Sequence, residues 1–126
     1  MNVPKGHGGP TSITLQPGPH APRAARRFVV YAAAQWLGQG KLAEVQSVVT
    51  ELVCNAAAHA RTPMVLNLCR HGEAVRIELY DGSPVLPEPH DADPSEPGLG
   101  LRIVEGVVQR WGVDRCAGGK LVWAEV

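Results

Sequence analysis

Apolar residues recur at helical spacing in two successive segments of the N-terminal half. The first segment, residues 21–37 (APRAARRFVVYAAAQWL), has a proline in its first turn and Gly38 just past its end, as is typical of a helix. After the short link GQGK, residues 41–60 place apolar side chains three and four positions apart, and Pro63 prevents a continuation. The pattern therefore predicts two consecutive helices.

Alternation of apolar and polar residues replaces the helical spacing in the next part of the chain. Residues 64–70 (MVLNLCR) and 74–80 (AVRIELY) both alternate, and the intervening HGE is typical of a hairpin turn. A short strand is also predicted at 11–16 (TSITLQ), before the first helix. These segments predict three strands.

The last third of the chain begins with a proline-rich segment. Residues 81–98 contain five prolines, and a loop of this length in a small domain is usually functional or mobile. A helical apolar stripe then covers residues 99–111. Two strands are predicted at 112–116 and 120–125, joined at AGG.

The order of these elements, β-α-α-β-β-loop-α-β-β, indicates the fold class. Paired strands without a helix between them imply a mixed, mostly antiparallel sheet with the helices on one face. We therefore predict an α/β (α+β) fold, a two-layer sandwich. Residues 1–10 are rich in Gly and Pro and are expected to be a disordered tail, which leaves 11–126 as a single domain.

Composition argues against several classes of function. The 126-residue chain has no net formal charge, so no basic field would hold nucleic acid or an anionic membrane. Neither a membrane-spanning stretch nor a secretory signal is recognisable, which favours a cytoplasmic location. The three widely spaced cysteines and five scattered histidines suggest neither a disulfide framework nor a metal site built from protein ligands alone.

Three polar residues interrupt the apolar second helix. Glu51, Asn55 and His59 are each four positions apart, which places them within one narrow arc at the border of the buried face. Such a stripe on an amphipathic helix is usually solvated. The alternative is that it faces a polar ligand.

Two further short motifs follow this helix. Asp81 and Gly82 end a predicted strand. They form either an ordinary turn or a ligand site, in which the Asp81 carboxylate binds the ligand and Gly82 lets it approach the backbone. The sequence GLGL, from Gly98 to Leu101, opens the predicted third helix and forms either a plain loop-to-helix junction or an anion site. The order of the motifs, more than any one of them, favours a ligand site.

The segments ELVCNAAAH, DGS and GLGL, in this order, resemble the N, G1 and G2 boxes of the Bergerat-fold (GHKL) ATP-binding domains. Within that group the chain is most similar to the bacterial anti-sigma-factor serine/threonine kinases, especially the small single-domain type of actinobacteria. The resemblance extends from ARRFV near the N-terminus to the closing KLVWAEV. It implies the Bergerat ATP-binding fold, with ATP and Mg²⁺ as cofactors.

The resemblance also implies a role for each matching residue. Asn55 would bind the Mg²⁺ that bridges the triphosphate, Asp81 would accept a hydrogen bond from the adenine amine, and Gly82 would let the base approach. His59 would support Asn55, and residues 83–97 would form a lid. The phosphates would be bound by the residues of the G2 box and the arginine after it: Gly98, Leu99, Gly100, Leu101 and Arg102.

A protein kinase activity is implied in the same way. Glu51, one turn before Asn55, would be the base that deprotonates a serine or threonine hydroxyl. The hydroxyl would belong to a STAS-type anti-anti-sigma factor, and a sigma factor would be the protein sequestered. Arg26 and Arg27 would bind partners, although a solvated face explains them equally well, and a homodimer is compatible with the resemblance.

A non-catalytic nucleotide-binding or partner-binding module is the alternative. Ser83 and Pro84 stand where the G1 pattern of the family continues to a second glycine, and Leu121 stands where the family often has Thr or Ser. Both departures favour the module. The catalytic part of a sensor histidine kinase is less favoured, because no helix that could carry a phosphoacceptor histidine precedes the domain in this sequence.

Overall fold

A computed structural model describes residues 12–59, 61–83 and 106–126, and shows two helices and five strands within these ranges. The elements are β1 (Ser12–Leu15), α1 (Ala21–Ala33), α2 (Gln39–His59), β2 (Met64–His71), β3 (Ala74–Asp81), β4 (Arg110–Cys116) and β5 (Gly119–Glu125). The strands form one sheet in the order β1-β2-β3-β5-β4, and each pair of neighbours is antiparallel. The predicted α/β sandwich is confirmed.

Both helices lie where the apolar periodicity predicts them, with shifted ends. α1 ends at Ala33, four residues earlier than predicted, because the chain turns and the Trp36 indole N–H donates to the carbonyl of Ala32 (2.9 Å). That bond satisfies one of the acceptors left open at a helix end. α2 ends at His59, ahead of Pro63. Neither helix within the described ranges is long and apolar enough to cross a membrane.

The two helices pack on one face of the sheet. Buried apolar side chains alternate with more exposed ones along β2 and β3, and the register pairs Leu66 with Leu79 and Leu68 with Ile77. Burying a side chain of this size contributes about 1.5–3 kcal/mol, so this layer is the main source of stability. Its fully buried members include Val29, Val45, Val48, Val49, Val53, Met64, Leu66, Leu68, Val75, Ile77 and Leu79.

The prediction of a third helix over residues 99–111 is wrong at its C-terminal end. Residues 106–109 form a turn, and β4 begins at Arg110. The Gln109 N–H donates to the Glu125 carbonyl (2.8 Å), and pairing with β5 then satisfies the backbone groups that a helix would otherwise satisfy. Residues 99–105 lie outside the described part of the chain.

A buried carboxylate lies among cationic groups on the opposite face of the sheet. Glu125 is only 2% exposed. It accepts hydrogen bonds from Arg110 Nε (3.0 Å) and Arg76 Nη1 (3.4 Å), and His71 Nδ1 lies 3.2 Å from its Oε2. The hydrogen bond from Arg110 is the main reason that the pKa of Glu125 lies below its ordinary value, in spite of desolvation.

Acid is expected to destabilise the protein partly through Glu125. Its folded-state pKa is lowered, so its contribution to stability is complete above the unfolded-state pKa of about 4.3. That contribution is lost as the pH falls through the lower folded-state pKa. Glu125→Gln should therefore reduce the free energy of unfolding at neutral pH by about 1–3 kcal/mol, and the reduction should shrink in acid.

Urea unfolding from neutral pH down to about pH 3 measures this effect. The control is Glu73→Gln, which changes an exposed carboxylate in the turn between β2 and β3. Equal pH dependence of unfolding for wild type and Glu125→Gln would contradict the assignment.

Candidate nucleotide site

Asp81 takes part in a buried ion pair at the end of β3. It lies opposite Lys120 of β5 in the antiparallel register, and the two residues are only 7% and 6% exposed. Lys120 Nζ donates to Asp81 Oδ1 (3.0 Å), and the Ser83 N–H donates to the same oxygen (2.9 Å). Asp81 continues the buried alternation of β3, so its side chain is on the face that the helices cover.

The second carboxylate oxygen of Asp81 is buried without a partner. Among the described residues, Asp81 Oδ2 is the one buried side-chain nitrogen or oxygen that makes no hydrogen bond. Leaving a buried acceptor unsatisfied costs about 1–3 kcal/mol, and more when the group is charged. Such an atom calls for a further donor, which an ordered water or a ligand with an N–H group would supply.

Two neighbouring segments fix the backbone around Asp81. The Gly82 N–H donates to Thr62 Oγ1 (2.9 Å), which lies in the link between α2 and β2. On β5, Gly119 approaches so closely that a Cβ atom there would lie 1.9 Å from the Asp81 carbonyl oxygen. Only glycine allows this approach, so the position of Asp81 depends on Gly119.

Glu51 and Asn55 are half-buried near the C-terminal end of α2. Their spacing of four residues puts both side chains on one side of the helix. Residues 60–63 alone separate α2 from β2, and Met64 at the start of β2 pairs with Asp81. This end of α2 therefore lies at the same end of the sheet as Asp81. Within the described ranges the Asn55 amide makes no hydrogen bond.

A basic groove lies between α1 and α2. Arg26 and Arg27 are both exposed, which fits a partner-binding surface and a solvated face equally. The Gln46 amide donates a long hydrogen bond (3.4 Å) to the Arg26 carbonyl, which joins the two helices. The groove is lined by Arg23, Arg26, Arg27, Val30 and Gln46.

The Cys54 thiol of α2 is exposed. Desolvation raises the pKa of Cys54 most, the Glu51 carboxylate raises it further, and Arg26 lowers it.

Several predicted site residues lie outside the described part of the chain. The backbone of His59 ends α2, but its side chain is not among the described groups. Of the predicted lid, residues 83–97, Ser83 alone is described. The roles of the phosphate-binding residues stay predictions: Gly98, Leu99, Gly100, Leu101 and Arg102.

The sequence pattern did not identify Lys120. Leu121, at the position where the family often has Thr or Ser, pairs with Tyr80 and so lies on the sheet face opposite to that of Asp81. Lys120 is the residue beside Asp81. A signal was available, because a lysine at a position that alternates with core residues Val122 and Ala124 is unusual for an apolar strand.

Comparisons with known proteins identify the family and agree with the fold. The family profile described as histidine kinase-like ATPase domain matches residues 13–126. No curated protein matches the chain. Among solved structures, the RsbU and RsbW domains of Rv1364c from Mycobacterium tuberculosis match 93% of this chain at 21% sequence identity, with a TM-score of 0.69. The match covers 32% of that longer chain. From the profile match over almost its whole length, the chain belongs to the histidine kinase-like (GHKL) ATPase family.

Proposed function

We propose that the protein binds Mg²⁺-ATP and transfers the γ-phosphoryl group to a serine or threonine of a partner, as an anti-sigma-factor kinase. The observation that carries most weight is Asp81 Oδ2, an unsatisfied buried acceptor. It lies at the end of the sheet where α2 presents Asn55 and Glu51. Membership of an ATPase family supports ATP as the ligand.

Asp81 is the proposed adenine-binding residue. The exocyclic amine of adenine would donate to Asp81 Oδ2, which removes the cost of the unsatisfied acceptor. Guanine carries a carbonyl at that position and would place an acceptor against the carboxylate. Gly82, held by its hydrogen bond to Thr62, has no side chain to obstruct the base.

Asn55 fits the role of a magnesium ligand. Mg²⁺ prefers oxygen ligands and usually takes few from the protein, with phosphates and waters completing its shell. The amide of Asn55 is half-buried and uncommitted within the described residues. When bound, the ion neutralises charge on the phosphates. The G2 box is proposed to bind the phosphates, through Gly98, Leu99, Gly100, Leu101 and Arg102.

Glu51 is the proposed catalytic base. Its carboxylate accepts the proton of the partner hydroxyl while the hydroxyl oxygen bonds to the γ-phosphorus. The bond between that phosphorus and the bridging oxygen breaks, and ADP leaves. Phosphoryl transfer depends mainly on positioning and charge neutralisation, and α2 places Glu51 one turn from Asn55.

A protein partner is proposed to dock on the basic groove. Arg26 and Arg27 line this groove and would attract an acidic surface. The proposed substrate is a STAS-type anti-anti-sigma factor, and the proposed sequestered protein is a sigma factor, both in the cytoplasm. The likeness of fold to a chain with RsbU and RsbW domains supports this choice.

A partner-binding module without nucleotide is the second candidate. It is favoured by one observation, the ion pair in which Lys120 already occupies Asp81 Oδ1. In that function Asp81 would only balance the buried lysine charge. Titration calorimetry with ATP and Mg²⁺ separates the two, because the module would give no nucleotide-dependent heat.

Phosphoryl transfer tests the first candidate directly. The purified protein would be incubated with Mg²⁺, γ-labelled ATP and STAS-type proteins encoded in the same genome. Label on a serine or threonine of one of those proteins is the expected result. ATP binding without any labelled partner would contradict the kinase function and leave a nucleotide-binding regulator.

Truncation of Asn55 is expected to remove the magnesium-dependent part of ATP affinity. Asn55→Ala should weaken Mg²⁺-ATP binding by at least about tenfold, or about 1.4 kcal/mol, and leave magnesium-free binding unchanged. Thermal stability should be preserved, since the amide has no hydrogen bond within the described residues. Calorimetry with and without Mg²⁺ measures both affinities.

The matched control is Gln46→Ala. It removes an amide from the same helix, nine residues earlier and therefore on the opposite side. This variant should bind Mg²⁺-ATP like wild type. A magnesium effect of equal size in Asn55→Ala and wild type would show that Asn55 is not a ligand of the ion.

A further inference from the structure

We propose that Lys120 recognises the base together with Asp81. In this proposal Lys120 Nζ donates a hydrogen bond to the ring nitrogen N1 of adenine, while Asp81 Oδ2 accepts one from the neighbouring exocyclic amine. The inference rests on the proposed ATP site and adds a second specificity-determining residue to it.

Among the described residues, the hydrogen bonds of the ion pair leave two N–H donors of Lys120 and one oxygen of Asp81 available. An ammonium group has three N–H donors, and within the described residues Lys120 Nζ uses one, toward Asp81 Oδ1. Asp81 Oδ1 also accepts from the Ser83 N–H, whereas Asp81 Oδ2 has no partner among the described groups. The pair thus offers an ammonium donor beside a carboxylate acceptor.

The edge of adenine carries the complementary pattern. Its amine at C6 donates and its adjacent N1 accepts, so a single base can meet both groups of the pair. Guanine in the same orientation presents a carbonyl to the carboxylate and an N–H to the ammonium. Both contacts would then be repulsive, and unpaired buried polar groups give strong discrimination between ligands.

Burial explains why the pair should act on a ligand. Both residues are more than nine-tenths buried, and removing two charges from water costs several kcal/mol per ion unless further hydrogen bonds satisfy them. Lys120 and Asp81 satisfy each other only in part, because one carboxylate oxygen and two ammonium donors have no partner within the described part of the chain. Adenine would complete the set.

The register also fixes Lys120 at this place. Asp81 and Lys120 are direct partners in the β3–β5 ladder, and Gly119, next to Lys120, contacts the Asp81 backbone. The register holds the backbone of Lys120 beside Asp81, and side-chain burial and the ion pair hold the ammonium there. A fixed donor is what recognition of a ring nitrogen requires.

Calorimetry of wild type with ATP and with 1-deaza-ATP, which lacks the N1 acceptor, tests the proposal. We expect 1-deaza-ATP to bind at least about tenfold more weakly than ATP, as for loss of a charge-assisted hydrogen bond, and GTP to bind more weakly still. Lys120→Met should lose ATP affinity by a similar factor and bind ATP and 1-deaza-ATP equally. Lys41→Met, which changes a half-buried lysine at the start of α2, should keep the wild-type preference.

Equal binding of ATP and 1-deaza-ATP by wild type would overturn the role of Lys120 and leave the proposed ATP site intact. Tighter ATP binding by Lys120→Met would also overturn it, because Lys120 would then compete with the base for Asp81. Tighter binding of GTP than of ATP by wild type would likewise overturn the role of Lys120. If wild type bound no nucleotide, the proposed function itself would fail. The wild-type comparison needs no variant, so it stands even if Lys120→Met does not fold.

Discussion

Glu51→Gln is expected to slow phosphoryl transfer to the partner by about 10²–10⁴-fold, the usual contribution of a general base. Glutamine keeps the size and polarity of the side chain but cannot accept the hydroxyl proton. ATP affinity should stay within about twofold of wild type, because Glu51 is proposed to contact the hydroxyl rather than the nucleotide. Partner affinity should also be retained.

Single-turnover transfer of label from ATP to the partner measures the loss, and calorimetry measures the two affinities. Glu44→Gln is the matched control, since it makes the same change on α2 at a half-buried position seven residues, or about 10 Å along the axis, before Glu51. It should transfer phosphate like wild type. Unchanged transfer by Glu51→Gln would exclude Glu51 as the base.

Local sequence signals predicted most of the fold. The apolar spacing of three and four positions located α1 and α2 to within a few residues, because these helices bury one face on the sheet. The alternation in β2 and β3 and the turn at Gly72 predicted the central hairpin, and Gly72 has a positive φ of 67°. The end of α1 was missed, since Trp36 closes it through a side-chain hydrogen bond that no periodicity reveals.

Long-range pairing explains what the sequence could not predict. An apolar stripe predicted a helix up to residue 111, but from Arg110 onward the backbone instead forms β4 and pairs with β5. The partner of Asp81 is 39 residues away, on β5. A shift of one residue in that register would exchange Lys120 for Leu121. Motif order could therefore point to Asp81 as a site residue without identifying the lysine beside it.

Gly119→Ala is expected to have the largest effect on stability. A Cβ atom at this position would lie 1.9 Å from the carbonyl oxygen of Asp81 and 3.0 Å from Gly82 Cα. Both are backbone atoms, so the overlap can be relieved only by separating β3 from β5. Overpacking of this kind should cost about 3 kcal/mol or more and lower Tm by about 10 °C or more. Thermal unfolding followed by circular dichroism measures the change.

Gly40→Ala is the control for the substitution itself. Gly40 lies in the first turn of α2, and a Cβ there would meet no atom within 4 Å. Alanine favours a helix over glycine by about 0.5–1 kcal/mol, so this variant should be as stable as wild type or slightly more stable. Both variants add the same methyl group. A lower Tm for Gly119→Ala together with an unchanged or higher Tm for Gly40→Ala would therefore show that the close approach of β5 to Asp81 causes the loss of stability. A Gly119→Ala protein with wild-type Tm would mean that β3 and β5 do not meet at this distance, and the buried pair of Asp81 and Lys120 would then lack its structural basis.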